Sequence, residues 1–232
     1  MAAFDDAARL ARMTAWVEKI ADEVGNALQQ HYIFWQVQDM IRLNPQLQNA
    51  RSHFFQWMGE VFIASAAVAV RRQVDPDKDS ICLRRLIQEV KDYATIVTRE
   101  HYLSLCNPSG SAEEWLLEMN EHTFDQWGGA GRPHVDPAMA DADLNLLLTT
   151  CDKLQHYATK RVAHYDKNGV KPGKVPTFQD LEDAYKLIEQ LTQKYCLMFT
   201  ATWMGQVRPN IIYPWMDVFT IAWLPVGSRE VT

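Results

Sequence analysis

The feature that most limits what this chain can become is a recurrence of apolar residues three and four positions apart. Leu10, Met13, Val17, Ala21, Val24 and Leu28 fall on one stripe of a helix expected over about residues 6–29. A period near 3.6 buries one side of a helix and leaves the other wet, whereas a half-buried strand alternates at every second residue. The spacing returns along the chain. Leu83, Leu86, Ile87, Val90, Ala94 and Val97 make a second stripe, and Leu144, Leu147, Leu148, Cys151, Leu154, Ala158 and Val162 a third. Leu181, Ala184, Ile188, Leu191, Tyr195, Met198 and Thr202 make a fourth. Stripes joined by short loops predict an all-α fold, a helical bundle with additional short helices around one core.

Local signals set the boundaries. Gly25 weakens the end of the first helix, and Tyr32 to Leu43 reads as a short second helix. Asn44-Pro45 ends it, because the residue before proline is pushed out of the α region. Ser52 is placed to cap a helix over His53 to Gln73, apolar around much of its circumference and densest at Phe55, Met58, Phe62, Ala66 and Ala69. This is the expected central helix. Asp79 is expected to cap the next one, with Arg84, Arg85, Glu89 and Lys91 on a solvated flank. Ser111 and Glu114 resemble a capping box for a helix to about His122. The glycine tract Gly128 to Pro133 lacks the Gly-Lys-Ser/Thr ending of a phosphate loop, and no strand leads into it, so it reads as a connection. Asp136 before Pro137, and Thr177 three residues before Asp180, open the two long helices of the second half. From Val207 the chain becomes rich in β formers split by Pro209, Pro214 and Pro225. Residues 207–232 are therefore expected as an extended arm over the bundle, a two-stranded ribbon or a dimer contact.

The totals narrow the class. A chain of 232 residues with no flexible linker is expected to form a single domain over 1–232. The longest apolar run, Val61 to Val70, contains Ser65 and sits between Glu60 and Arg71, which reads as a soluble helix and not a membrane span. Asp5 and Asp6 stand where a basic leader would be, so a cytoplasmic location and no membrane partner are expected. Cys82, Cys106, Cys151 and Cys196 are too scattered for a disulfide framework or a zinc knuckle and read as reduced core thiols. The seven histidines form no His-Glu-x-x-His pattern, and Asp136, Asp141 and Asp143 fit a helix cap and polar face better than a calcium loop. No metal or other cofactor is expected. A formal charge of −6 argues against a broadly basic nucleic-acid surface but leaves room for a local patch.

Tyr157 to Gly169 offers such a patch. His164 stands at the expected end of the third long helix, where a protonated imidazole is favoured, and Asp166 is placed to orient its ring or raise its pKa. Lys160 lies one turn earlier, and Arg161, Lys167, Lys171 and Lys174 add positive charge. On 100° steps, Lys153, His156, Lys160 and His164 all fall opposite the apolar stripe. These residue types suit holding a phosphodiester, transferring a proton and stabilising negative oxygens. The plainer reading is a satisfied last helical turn among solvated basic side chains.

The run Arg161-Val-Ala-His164-Tyr-Asp166, at the end of a long helix in an all-α chain, resembles the signature of the HEPN superfamily. The tracts His53-Phe-Phe-Gln-Trp-Met-Gly59, Val70-Arg-Arg72 and Pro176-Thr-Phe-Gln-Asp-Leu181 make the chain more similar to its branch named after the AbiU2 abortive-infection proteins. The resemblance implies a HEPN-like bundle, often dimeric, and in many members metal-independent ribonuclease activity in phage defence or toxin–antitoxin systems. His164 matches the signature histidine and Asp166 the polar residue beyond it. The arginine usually found five to seven positions earlier would fall on Thr159, Ala158 or Tyr157, so the chain departs there. Lys160 or Arg161 is then the candidate cation, with Arg71, Arg72, Arg84 and Arg85 as sources from other helices. The candidate catalytic set is His164, Asp166, Arg161 and Lys160. Two functions follow as expectations: a defence-associated RNA-binding or RNA-cleaving protein, or a noncatalytic homodimeric module that binds RNA, a nucleotide or a protein such as an antitoxin.

Overall fold

A computed structural model describes residues 2–50, 52–163, 166–167, 169–202, 204–208, 210–221 and 223. Among them the fold is all-α, and extended pairing is confined to one isolated antiparallel bridge, Thr98 to His134. The first helix does not stop near Gln29. It runs on in α1, Ala2–Leu43, so the expected second helix is the same helix continued. Gly25 is buried beside Val24, where packing outweighs a helix penalty of roughly 1 kcal/mol. Asn44 ends α1 as expected and caps α2, Pro45–Asn49. Ser52 caps α3, His53–Gln73, accepting from the Phe54 amide at 3.2 Å.

Two expected caps are not formed. The helix after the Asp75 turn is α4, Leu83–Asp92, and its cap position is Cys82. Asp79 lies in the preceding turns, where its amide donates to Asp77 Oδ1 at 3.0 Å. Likewise α6, Glu114–Gly128, follows Glu113, while Ser111 pairs with Ser109 at 2.7 Å. In both places side chain to turn contacts compete successfully with capping. A helix absent from the expectation, α5 (Arg99–Cys106), precedes α6 and is tied to it through Arg99, Asp125 and Glu121. The expected solvated flank of α4 also needs correction. Glu89 is buried and takes Arg12 at 2.9 Å, Arg9 at 3.2 Å and Arg85 at 3.5 Å, so three guanidinium groups offset its loss of water.

The core is built around α7, Pro137–Tyr157, which Asp136 caps by accepting from the Ala138 amide at 2.9 Å. Its Ala140, Leu144, Leu147, Cys151 and Leu154 are buried against α4, α8 (Phe178–Thr200) and α3. Antiparallel α7 and α8 are laced at both ends, by Lys153 to Asp180 at 2.7 Å and Lys194 to Asp143 at 2.6 Å. The helix expected at the centre is less enclosed. Buried residues of α3 begin at Phe62, and its first turns expose Phe54 and Trp57. By length and composition α3 resembles a membrane span, the one such helix among the described residues, but its second half packs into the common core.

Cys82, Cys151 and Cys196 are buried free thiols, and Cys106 is half-buried. Burial pushes the Cys151 thiol up to about 12. In the described part of the tail, Val207 is buried and Trp215–Thr220 forms a 3-10 turn, so the expected ribbon is not seen among these residues.

The Thr177–Asp180 capping box of α8 yields a pH test. Asp180 is held down at about 2 by Lys153 first, then by the Thr177 amide and hydroxyl. A carboxylate depressed from about 3.9 contributes stability above about pH 4 and loses it as pH falls toward its folded value. Thermal melts should show Asp180→Asn less stable than the parent at pH 7, with the gap closing near pH 2. A constant gap across that range would assign the loss to something other than this ionisation.

Candidate functional site

The third stripe carries the chain out of the core and into the tract singled out above. At Tyr157 the α-helix gives way to a π-helical segment, Ala158–Ala163. Hydrogen bonds there run from residue i to i+5, so each residue turns through less than 100° and an ideal α wheel no longer assigns its faces. Ala158 remains fully buried, and Thr159 Oγ1 donates to the Gln155 carbonyl at 2.9 Å. Lys160 Nζ meets Asp166 Oδ2 at 2.6 Å, and the Asp166 amide donates to the Lys160 carbonyl at 3.2 Å. Gly169, at φ +64°, closes the following turn with its amide on the Asp166 carbonyl at 2.9 Å. Arg161 is exposed on the same segment. His164 and Tyr165 lie outside the described residues, so three of the four candidate catalytic residues are placed and the histidine is not.

The positive charge of the tract is more tightly matched than its sequence suggests. Lys153 faces Asp180, Lys160 faces Asp166, and Lys174 faces Asp152. Lys167 and Lys171 are exposed in the loop. His156, expected on the outer side, is half-buried, and its Nε2 is enclosed without a hydrogen-bond partner among the described residues.

Val162 forms part of the wall of a groove of about 470 Å³ between α1 and α3, closed below by Tyr185 and Ile188 of α8. That volume lies within the range of ligand pockets. Glu23 of α1 pairs with Arg72 of α3 and also accepts from Gln73 Nε2 at 3.3 Å; Ser65 Oγ donates to Gln30 Oε1 at 3.1 Å. Burial raises the Tyr185 phenol above its ordinary value and keeps it protonated. Of the arginines considered as substitutes, Arg72 shares this groove with Val162. Arg84 instead donates to the Val74 carbonyl at 3.3 Å, and Arg85 is committed to Glu89. Positions 157 to 159 supply no cation, since they hold Tyr157, buried Ala158 and back-bonded Thr159.

The HEPN_AbiU2 family model, described as AbiU2, matches residues 11–207. This chain belongs to that family. The match begins within α1, takes in the groove and the π segment, and ends at Val207, just beyond α8. Neither the curated proteins nor the solved structures gave a match. Among the described residues of this HEPN_AbiU2 chain, no three His, Cys, Asp or Glu side chains gather closely enough to hold a metal ion.

A second polar cluster was not foreseen. His31 Nε2 lies 2.7 Å from Glu182 Oε1, which also accepts from Trp35 Nε1 at 2.9 Å, and the imidazole stacks on Tyr185 at 4.9 Å between centroids. The four-residue spacing of His31 and Trp35 was available in the sequence. Their shared carboxylate, 151 positions away from His31, was not.

Both cationic probes of the site are surface pairs. Arg72 is 60% exposed and Lys160 is 38% exposed, and such pairs contribute about 0–1 kcal/mol. Arg72→Ala and Lys160→Ala should therefore each retain a cooperative denaturant transition within about 1 kcal/mol of the parent. A loss of several kcal/mol would instead give that residue a structural duty.

Proposed function

We propose that this HEPN_AbiU2 protein is a defence-associated protein that binds and cleaves RNA without a metal ion, using the tract from Lys160 to Asp166. The observation that carries this reading is the Lys160–Asp166 pair beside Arg161 on a π segment whose Val162 opens into the Arg72 groove. Family membership supports it, and π segments often occur at functional sites. In this mechanism the phosphodiester sits against Arg161 and Lys160, which stabilise charge developing on its non-bridging oxygens. His164 takes the proton of the RNA 2′-hydroxyl as that oxygen attacks phosphorus. The bond to the 5′-oxygen breaks, and that leaving oxygen takes a proton from water, which completes a 2′,3′-cyclic phosphate and a free 5′-hydroxyl. Asp166 acts as a positioning residue by holding Lys160.

A noncatalytic homodimer that binds RNA, a nucleotide or a protein is favoured by one observation. Positions 157 to 159 hold no cation where the resemblance leads one to expect an arginine.

Purified protein incubated with total cellular RNA in chelator should generate cyclic-phosphate ends. His164→Ala should reduce the rate by about 10²- to 10⁴-fold, the usual contribution of a general acid–base group. Lys160→Ala and Arg161→Ala should weaken RNA binding as well as cleavage. Saturable binding without cleavage, unchanged by His164→Ala, favours the noncatalytic reading. Cleavage equal in parent and His164→Ala sinks the proposed chemistry.

A further inference from the structure

A second cavity, of about 490 Å³, opens where the chain, having left α8, passes against α1. Its walls are Leu28 and His31 of α1, one face of α8, and residues 205, 206 and 208 of the crossing segment. Val207 is buried and pins that segment, and Gln193 Nε2 donates to the Gly205 carbonyl at 3.5 Å. Leu28 and Tyr185 line this cavity as well as the Arg72 groove and divide one from the other, whereas Arg72 and Val162 belong to the groove alone.

Charges of both signs face the cavity without neutralising one another. Glu182 and Lys186, four residues apart with the acid first, are in the order that best favours an ion pair on a helix. That pair is not made. Glu182 turns instead to His31 and Trp35, both of which meet its Oε1, and Asp183 holds Gln179 at 2.8 Å. Lys186, and Glu189 one turn beyond it, form no ion pair among the described residues. Arg208 is the clearer case. Arg9, Arg12, Arg72 and Arg99 each meet a carboxylate. Half-buried Arg208 rests its guanidinium 4.3 Å from the centre of the Tyr32 ring and takes no carboxylate among the described residues, although Glu182 and Glu189 line the same cavity. An aromatic ring holds a guanidinium by its face and leaves the N–H edge free to donate.

Unmatched cations alone would point to an anion. Here Glu182 and Glu189 stand two turns apart, about 10 Å, with Lys186 between them, and they would repel a phosphate. Carboxylates and cations facing one space are complementary to a molecule that carries both charges. Gln190, Gln193 and Gln206 add amide donors and acceptors, and Leu28 and Tyr185 an apolar floor. We infer that this cavity binds a small zwitterion, a free amino acid or a dipeptide, with its carboxylate on Arg208 and Lys186 and its ammonium on Glu189 and the second oxygen of Glu182. The volume falls within the range of ligand pockets. Arg208 lies just past the end of the family match at Val207. The site is separate from the proposed RNA chemistry and does not rest on it.

Titration calorimetry of the full chain with L-glutamine, L-arginine and alanylglutamine should show saturable binding of at least one of them. Binding of the amino acids without the dipeptide, or the reverse, would identify which of the two sources the cavity takes. The N-acetylated and C-amidated forms of the ligand that binds each lose one charge and should each bind about tenfold or more weakly. Arg208→Gln and Glu189→Gln should each raise Kd by about tenfold or more, with the far-ultraviolet spectrum unchanged. Lys186→Gln, at an exposed position, repeats the test should either of those variants unfold. No saturable binding of any of the three molecules, equal binding of a blocked form, or inorganic phosphate bound as tightly as the zwitterion would overturn the assignment. A Kd indifferent to the substitutions would overturn it as well.

Discussion

Burial of the α7 seam is the constraint on which the rest of the structure depends. Leu144, Leu147, Cys151 and Leu154 are enclosed by α4, α8 and α3, and each large apolar side chain removed from water contributes about 1.5–3 kcal/mol. This packing fixes the rotation of α7 and the direction in which its last turn leaves the core. The seam extends one residue into the π segment, where Ala158 is fully buried, and then gives out. Widening of the turn sends Val162 to the groove wall instead of to a deeper core position. The same packing that holds the bundle together thus delivers the Lys160–Asp166 pair to its edge.

Electrostatics in this chain is local. An acidic protein that also carries a basic tract can either display that tract as a positive field or match it with carboxylates, and here much of it is matched. Lys153, Lys160 and Lys174 face Asp180, Asp166 and Asp152. Such contacts contribute little stability when exposed, but they fix where each ammonium group stands. Under the function proposed above, a phosphate would compete with Asp166 for Lys160, and its attraction would be set by geometry at short range more than by long-range steering.

Much of the fold was legible because apolar period and helix caps are local properties. The stripes at Leu83–Val97 and Leu181–Met198 are buried as their spacing requires, and Ser52, Asp136 and Thr177 cap as read. Misreadings arose where tertiary contacts decide. α1 runs unbroken past Gln29 to Leu43, Glu89 is buried because arginines from α1 reach it, and Asp79 yields to a tighter turn. At the candidate site, the sequence grouped Lys160 and Asp166 in one tract, and the two side chains meet there. It did not reveal the π segment, since a hydrogen-bond register of i to i+5 leaves no periodic mark in six residues. The meeting of Arg72 with the same groove as Val162, ninety positions later, was equally beyond a local rule.

The exposed aromatics of α3 have a geometric origin. α1 contains 42 residues and α8 only 23, about 63 Å against 35 Å. They lie antiparallel, with Trp35 against Phe178 at the start of α8 and Phe34 stacked on Phe62 of α3. Past that level, the last turns of α1 and the first turns of α3 have left α8 behind and flank one another. A helix hairpin extending beyond its bundle has more apolar perimeter than its own two helices can cover. Polar residues would relieve that mismatch at no cost to the core, yet this segment holds Phe54, Trp57 and Val61. The chain therefore retains, among its described residues, an apolar face that the packing of α1, α3 and α8 does not require, and the mismatch of helix lengths is what leaves it exposed.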